Sequence, residues 1–390
     1  ICRMTLMTES TSAAVSAEST QPDVRATVAN RIGFLELNRP KALNALSVGM
    51  IRLMQQALDA WRDDPEVVAI VVHSPHPRAF CAGGDVRFFH EAWQRGDRDA
   101  VDTFFVEEYT LNHTIFTYPK PYIALMHGVV MGGGMGISQA ARHTGGLRVV
   151  TDSTKMAMPE TRIGLFPDVG MSWFLARTPG AIGRYLAVTG ATLDAAGALY
   201  AQLADVYLPD AELPALLDTL RTAHIDSGEH AVACVADAAA AHKVVPTPDT
   251  SALADARAGI DRHFAHPDIG AILASLDAEP DCAAVDGWVE KATHAMREQL
   301  SPLSMAVSLE VVERARGATM ADCLRRDLDL TRSTFARGDV IEGVRALIVD
   351  KDHQPAWRFK SSADIDRADV LAMFDSPWTP DTHPLRKLQD

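Results

Sequence analysis

Residues 122–136 read Tyr-Ile-Ala-Leu-Met-His-Gly-Val-Val-Met-Gly-Gly-Gly-Met-Gly, and this stretch is the strongest indication of the fold class. The run Tyr122–Met126 is short and fully apolar, which is typical of a strand buried on both faces of a parallel sheet. Three glycines then open a predicted helix over Gly132–Ala141, where free N–H groups and the helix dipole favour an anion or an oxyanion. The glycines suit close packing of helix on strand equally well, so the stretch alone leaves both interpretations open.

Similar patterns lie on both sides of this stretch. The runs Val67–Val72 and Leu147–Thr151 are also short and apolar and are predicted as buried strands. The segments Ser47–Trp61 and Ala100–Tyr118 carry apolar residues at the spacing of amphipathic helices. Short apolar strands that alternate with helices favour an α/β fold with parallel pairing.

The chain divides into three parts in this interpretation. We predict a disordered N-terminal tail over residues 1–23, which are rich in Ser, Thr, Ala and Glu, and an α/β core over residues 24–212. Strand signals vanish after the core, and helical patterns dominate residues 213–390. We expect this helical C-terminal region to complete the same enzyme unit.

Composition and charge exclude several classes of protein. The 390 residues are 47% hydrophobic and 23% charged, as in ordinary globular proteins. The net charge of −14 disfavours general binding to nucleic acid or to anionic membranes, although a local basic pocket is compatible with it. No run approaches the ~18 apolar residues that span a bilayer. The triple glycine is not a Walker loop, because no Gly-Lys-Ser/Thr follows it.

The five cysteines are scattered and form no CxxC pair. This spacing excludes a disulfide scaffold or a cysteine-rich metal site. Residues 1–23 show neither a secretory nor an organellar targeting pattern. Together these features predict a reducing, cytoplasmic location. The pair His73 and His76 is a weak metal signal, and the prolines around it favour a solvated loop, so no metal site is predicted.

Two further segments carry candidate chemistry. Ala79-Phe-Cys-Ala-Gly-Gly-Asp85 follows a predicted strand, and its glycines permit close backbone approach to a ligand, although a simple turn with Asp85 as helix N-cap explains it as well. Residues 158–170 hold Glu160 and Asp168 among Met, Ile, Leu and Phe. Partial desolvation raises the pKa of such carboxyl groups toward the range of a general base. Two acids in one rigid segment beside two glycine-rich segments favour function over capping.

These segments together resemble the crotonase, or enoyl-CoA hydratase/isomerase, superfamily. The run Asn38–Leu46 is similar to the opening signature of that superfamily, and Ala82–Asp85 and Gly132–Gly134 are similar to its two oxyanion-hole segments. The resemblance covers roughly residues 26–357. It implies a right-handed spiral of ββα turns, followed by helices that close over the site.

Within the superfamily, Glu107–Tyr109, Met158–Thr161, Phe166–Gly170 and the C-terminal Glu342–Ala346 resemble the subgroup of 3-hydroxyisobutyryl-CoA hydrolases. This resemblance implies an acyl-CoA substrate whose CoA moiety is not a separate cofactor. It also implies that no metal is required, and it is compatible with a homo-oligomer, since members of the family are often trimeric or hexameric.

The resemblance also assigns roles to particular residues. It makes Glu160 and Asp168 catalytic, and it assigns the oxyanion hole to the backbone N–H groups of Gly84 and Gly133. Glu108 matches the position that contacts the acyl end of the substrate. Gly133, Glu160 and Asp168 are expected to contact the substrate as well.

One departure from the superfamily pattern concerns the reaction. Hydratases of this superfamily carry one glutamate just after the triple glycine and a second in the later segment, but this chain has Gly136 at the first position and keeps only Glu160. Hydration needs one group for water and another for the α-proton, whereas thioester hydrolysis needs an oxyanion hole and a carboxylate that acts as base or nucleophile.

The resemblance, with this departure, therefore implies an acyl-CoA hydrolase that acts on 3-hydroxyisobutyryl-CoA in valine breakdown. It does not choose whether Glu160 is the base or the nucleophile. An enoyl-CoA hydratase or isomerase that uses Glu160 alone, and a non-catalytic acyl-CoA-binding protein, are the alternatives.

Overall fold

Two sheets, whose strands are parallel apart from one hairpin, form the N-terminal half of the chain. A computed structural model describes residues 21–242, 247–278 and 287–390, so most of the predicted tail lies outside the described residues. The strands of the described part are β1 (Val24–Ala29), β2 (Ile32–Leu37), β3 (Ala69–His73), β4 (Ala79–Cys81), β5 (Tyr122–Met126), β6 (Val129–Met131), β7 (Arg148–Val150), β8 (Lys155–Ala157) and β9 (Val206–Tyr207).

The order of the strands defines a spiral. The larger sheet has the order β1-β2-β3-β5-β7-β9, and the smaller has the order β4-β6-β8. All neighbouring strands are parallel except the hairpin β1–β2. The chain adds one strand to the larger sheet, the next to the smaller sheet, then a helical segment, and repeats this turn. The predicted α/β spiral of ββα turns is therefore confirmed.

Helices fill the connections and the C-terminal half. They are α1 (Val48–Arg62), α2 (Val86–Gln94), α3 (Arg98–Phe116), α4 (Gly133–Gly136), α5 (Met171–Leu175), α6 (Ile182–Thr189), α7 (Ala195–Tyr200), α8 (Leu213–Thr222), α9 (Gly228–Ala240), α10 (Ala252–His263), α11 (Ile269–Asp277), α12 (Trp288–Glu298), α13 (Pro302–Arg314), α14 (Met320–Arg337), α15 (Val340–Val344) and α16 (Arg367–Ala372). None of the helices in the described ranges is long and apolar enough to cross a membrane.

The larger sheet is buried on both faces, which explains why its strands are fully apolar. One face packs on α1 and α3, and the opposite face packs on α8 and α9 through side chains such as Leu216, Leu220 and Val235. The helical C-terminal part and the α/β part share this core. Burial of apolar surface stabilises a folded chain by about 25 cal/mol per Å². The apolar surface that the two parts bury against each other therefore stabilises both of them.

Two local predictions are corrected by the structure. The helix expected over Gly132–Ala141 is only the single turn of α4, followed by a separate 3₁₀ turn at Gln139–Thr144. His73 is not in a solvated loop, because it ends β3 and is buried, and burial lowers its pKa to about 4. In the described ranges no group of His, Cys, Asp and Glu side chains is placed to hold a metal ion.

A buried ion pair connects β7 to the segment before β9. The Arg148 side chain is 2% exposed, and its guanidinium donates to both oxygens of Asp205 at 2.9–3.0 Å and to Gln139 Oε1 at 2.9 Å. The Asp205 carboxylate also accepts the Arg148 backbone N–H at 2.9 Å. A charge held this deeply depends on its partner.

We expect Asp205→Ala to lower the free energy of unfolding by about 3–5 kcal/mol, because it leaves the Arg148 charge buried without its carboxylate. Urea denaturation followed by circular dichroism measures the change. The control is Asp352→Ala, which removes one carboxylate from the exposed ion pairs of Arg345 and should cost less than about 1 kcal/mol. Equal losses in the two variants would contradict this account of the buried pair.

Candidate active site

Two unpaired backbone amides meet at the carboxyl ends of β4 and β6. Gly84 lies just after β4, and Gly133 is the first residue of α4, just after β6. Because β4 and β6 are parallel neighbours, their carboxyl ends lie side by side. A Cβ atom placed on Gly133 would be 3.4 Å from Gly84 N. Among the hydrogen bonds of the described residues, neither of these N–H groups donates to a protein acceptor. The predicted oxyanion-hole residues are thus adjacent.

Three carboxyl groups surround these amides. Glu108 lies on α3, Glu160 opens the 3₁₀ turn Glu160–Ile163 after β8, and Asp168 lies in the loop before α5. Their exposed fractions are 2%, 7% and 5%. The structure therefore brings together every site residue that the sequence predicted, from four separate segments.

The carboxyl groups and both amides line one cavity of about 270 Å³. Glu108 Oε1 lies 2.6 Å from where a Cβ on Gly133 would stand, and Glu160 Oε1 lies 2.9 Å from where a Cβ on Gly132 would stand. Both acids therefore flank the N-terminus of α4. A side chain at either position would have to displace a carboxyl oxygen.

Burial of the acids changes their protonation. Desolvation, together with the nearby charge of Asp168, raises the pKa of Glu108 and of Glu160 well above the ordinary range of glutamate. Desolvation raises the pKa of Asp168 to about 6, although the hydrogen bond from Tyr109 opposes this effect. At neutral pH Asp168 is therefore the most readily ionised acid of the cavity, and its charge disfavours ionisation of the two glutamates.

The space beside Gly136 is already occupied. A Cβ on Gly136 would lie 2.8 Å from Val169 Cβ and 3.0 Å from Asn112 Nδ2. Val169 has a φ of 52°, which is rare for a β-branched residue and turns its side chain against α4. A glutamate at position 136 would need Val169 or α4 to move. This chain therefore lacks the first glutamate of the hydratase pattern, and Val169 and Asn112 fill the space beside Gly136 that its side chain would need.

The C-terminal region closes one wall of the cavity. Leu347 and Ile348, in the π-helical turn Arg345–Val349, line it directly. Helix α15, which precedes this turn, packs closely on the 3₁₀ turn Glu160–Ile163, since a Cβ on Gly343 would lie 2.4 Å from the Ile163 carbonyl. Arg345 fixes this segment through ion pairs with Glu342, Asp350 and Asp352.

Sequence reasoning missed two groups behind Asp168. The Tyr109 hydroxyl donates to Asp168 Oδ2 at 2.7 Å, and Asp327 on α14 accepts the Gly170 N–H at 2.8 Å. Asp327 is fully buried, which raises its pKa well above the ordinary value. The available signal was an acid between Leu324 and Leu328 on the apolar side of a helical pattern, which by itself does not point to a distant loop.

Comparison with known proteins defines the class of this one. The model of the enoyl-CoA hydratase/isomerase family matches residues 32–374, and the chain belongs to this family. The 3-hydroxyisobutyryl-CoA hydrolase of Xenopus tropicalis is 37% identical over 331 residues, covering 85% of this chain and 83% of that protein. The human 3-hydroxyisobutyryl-CoA hydrolase is 33% identical over 344 residues, covering 88% of this chain and 86% of that protein.

Solved structures agree on the fold. A carnitinyl-CoA dehydratase from Mycobacterium thermoresistibile is 34% identical, with a TM-score of 0.82, and covers 95% of this chain and 100% of its own. An enoyl-CoA hydratase from Rhodobacter sphaeroides is 34% identical, with a TM-score of 0.79, and covers 91% of this chain and 98% of its own.

The prediction of a cytoplasmic location is wrong on this comparison. The relatives from Xenopus tropicalis, Homo sapiens and Gallus gallus are all named as mitochondrial. Scattered cysteines exclude a disulfide scaffold but do not specify the cellular compartment. Residues 1–20, on which the prediction also rested, lie outside the described residues.

We expect Asp168→Asn to raise the free energy of unfolding, and to raise it more near pH 8 than near pH 5. Burial lifts the pKa of Asp168 from 3.8 to about 6, so the stability associated with this group is fully present below 3.8 and is lost as the pH rises through about 6. An asparagine avoids that loss. Urea denaturation at both pH values measures the effect, with the exposed Asp381→Asn as control. A variant less stable than wild type near pH 8 would contradict the prediction.

Proposed function

We propose that this protein hydrolyses an acyl-CoA thioester, with 3-hydroxyisobutyryl-CoA as substrate and 3-hydroxyisobutyrate and CoA as products. The observation that carries the proposal is the pair of unpaired amides of Gly84 and Gly133 beside the buried carboxyl of Glu160, with no room for a second catalytic glutamate at position 136. The names of the relatives from Xenopus tropicalis and Homo sapiens support the same reaction.

The two amides serve as the oxyanion hole in this proposal. The thioester oxygen lies between Gly84 N and Gly133 N, and its negative charge grows as the carbonyl carbon becomes tetrahedral. Preorganised donors in a dry site stabilise that charge, and loss of one donor typically costs about 2.7–4 kcal/mol of transition-state stabilisation. The N-terminus of α4 adds its positive dipole end.

Glu160 is the general base in this proposal. Its carboxylate takes a proton from a water molecule as the water oxygen forms a bond to the thioester carbon. The C–S bond then breaks, and the proton passes to the CoA sulfur. Burial favours this role, because a raised pKa makes Glu160 a stronger base near neutral pH. Direct attack by Glu160 is the alternative step, which would form a mixed anhydride and release the thiol before water enters.

Asp168 and Glu108 hold the reactants. Asp168 accepts a hydrogen bond from the attacking water, and its charge raises the basicity of Glu160. Burial and the charge of Asp168 raise the pKa of Glu108, which favours its protonated form, and that form donates a hydrogen bond to the hydroxyl end of the acyl group. Three acids thus have three different tasks in one cavity.

The filled space at Gly136 favours hydrolysis over hydration. Addition of water to an enoyl-CoA needs a second acid–base group near the substrate α-carbon, and the position that supplies it in hydratases is blocked here by Val169 and Asn112. The solved dehydratase and hydratase share the fold with this chain, but a fold does not determine a reaction.

The test compares two rates for the wild-type protein. Release of free thiol from 3-hydroxyisobutyryl-CoA should be fast, and loss of the enoyl absorbance of crotonyl-CoA should be slow. Fast hydration without thiol release would replace the hydrolase by a hydratase. Binding of both substrates without either reaction would leave a non-catalytic acyl-CoA-binding protein.

We expect Glu160→Gln to lower kcat for thiol release by about 10²–10⁴, because the amide cannot accept the proton of water. The matched control is Glu107→Gln, which breaks only an exposed ion pair with Arg52 and should leave kcat within a factor of about two. Wild-type turnover by the Glu160 variant would show that another group is the base.

We expect Gly133→Ala to lower kcat/KM for thiol release by about 10² or more while the chain stays folded. The added methyl would stand 2.6 Å from Glu108 Oε1 and 3.4 Å from Gly84 N, so it displaces the Glu108 carboxyl and crowds the space of the thioester oxygen. The control is Gly49→Ala, at an exposed position of α1 where the nearest atom is 3.6 Å away. Full activity in the Gly133 variant would place the thioester elsewhere.

A further inference from the structure

A chain of buried hydroxyl groups joins Asp168 to the C-terminal helix α14. The Tyr109 hydroxyl oxygen lies 2.7 Å from Asp168 Oδ2 and 2.9 Å from Thr331 Oγ1. Thr331 Oγ1 in turn lies 2.8 Å from the backbone oxygen of Asp327. Tyr109 is fully buried and Thr331 is 2% exposed, so water does not compete along this path.

The protons of this chain have two consistent arrangements. When Asp168 is ionised, the Thr331 hydroxyl donates to Tyr109, and the Tyr109 hydroxyl donates to the Asp168 carboxylate. When Asp168 is protonated, the Asp168 O–H donates to Tyr109, Tyr109 donates to Thr331, and Thr331 donates to the Asp327 backbone oxygen. Each hydroxyl supplies one proton in either arrangement, so the direction of the whole chain reverses without any heavy atom moving.

We propose that Tyr109 and Thr331 form a reversible hydrogen-bond chain that holds the Asp168 side chain in one position in both of its protonation states, which makes α14 a positioning element of the active site. The proposal deepens the proposed hydrolase function and rests on it for the role of Asp168. A buried carboxyl that changes protonation would otherwise gain or lose a hydrogen-bond partner each time.

Helix α14 also holds the backbone on the other side of Asp168. Asp327 Oδ2 accepts the Gly170 N–H at 2.8 Å. Val169 and Gly170 have φ values of 52° and 75°, and this left-handed turn aims Asp168 into the cavity. The helix therefore holds the loop at two points. Asp327 binds the backbone amide of Gly170, and Thr331 acts on the Asp168 side chain through Tyr109; these two residues lie one turn apart on the same face of α14.

Other ionisable groups face Asp168 and stay unchanged in the test. They are Glu108 from α3, Glu160 and Arg162 from the 3₁₀ turn, and Asp327 from α14. Only the two hydroxyl groups of the chain are removed, one at a time.

The first test is a titration of the Asp168 side chain that does not depend on activity. Full-length protein is labelled with ¹³C at the aspartate carboxyl carbon, and the Asp168 signal is identified by its absence in Asp168→Asn. Tyr109→Phe should move the titration midpoint to higher pH by about 1 unit, because the carboxylate loses its charge-assisted donor.

Thr331→Val should move the midpoint in the opposite direction. Tyr109 still donates to the ionised Asp168, but when Asp168 is protonated the Tyr109 hydroxyl has no acceptor, so the ionised state is favoured. Thr331→Ser keeps a hydroxyl and should restore the wild-type midpoint. The matched control is Thr334→Val, which removes a buried hydroxyl one turn along α14 that donates to the Thr331 backbone oxygen.

The same variants are then assayed for thiol release as a function of pH. Glu160 ionises less readily than Asp168 and must be ionised to act as the base, so the acidic limb of kcat/KM reports Glu160, and the Asp168 midpoint is read from the ¹³C signal alone. A midpoint that stays unmoved in Tyr109→Phe and in Thr331→Val would overturn the chain, and if the tyrosine variant does not fold, Thr331→Val decides alone. The remaining outcome is that the midpoints of the variants move as expected but the wild-type protein releases no thiol. That outcome would support the hydrogen-bond chain and overturn the proposed function instead.

Discussion

The close contact between the start of α4 and the end of β4 is the constraint on which the site depends. A Cβ on Gly134 would lie 2.4 Å from the Cys81 carbonyl oxygen, so only glycine lets the helix reach the strand. This contact places Gly133 N beside Gly84 N. Any outward movement of α4 would separate the two amides, and the carboxyl groups around them would lose their common centre.

The second constraint is the burial of several acids in one cavity. Like charges in a poorly solvated space do not all ionise easily, so one acid ionises readily and the pKa values of the others rise. Asp168 occupies the first role because Tyr109 donates to it. Such an arrangement lowers stability, and the extensive core shared by the sheets and the C-terminal helices offsets that cost.

Much of the fold was predictable because its main signals are local. The run Tyr122–Met126 is a strand with those bounds, and Ser47 caps α1 with its hydroxyl, which accepts the Met50 N–H. The smaller sheet was missed because β4, β6 and β8 have only three residues each, too few to show a period. Their pairing comes from the spiral, which aligns segments that are about 25–50 residues apart in sequence.

The sequence by itself determined the residue types of the site: glycines where a ligand or a helix approaches the backbone, and Glu160 and Asp168 in an apolar, proline-rich segment. Only the tertiary structure decided what surrounds them. It placed Val169 in the space beside Gly136, and it brought Thr331 to Tyr109 across 222 positions of sequence. The physical reason is that burial and partners set the protonation of an acid, and both are properties of packed neighbours from distant parts of the chain.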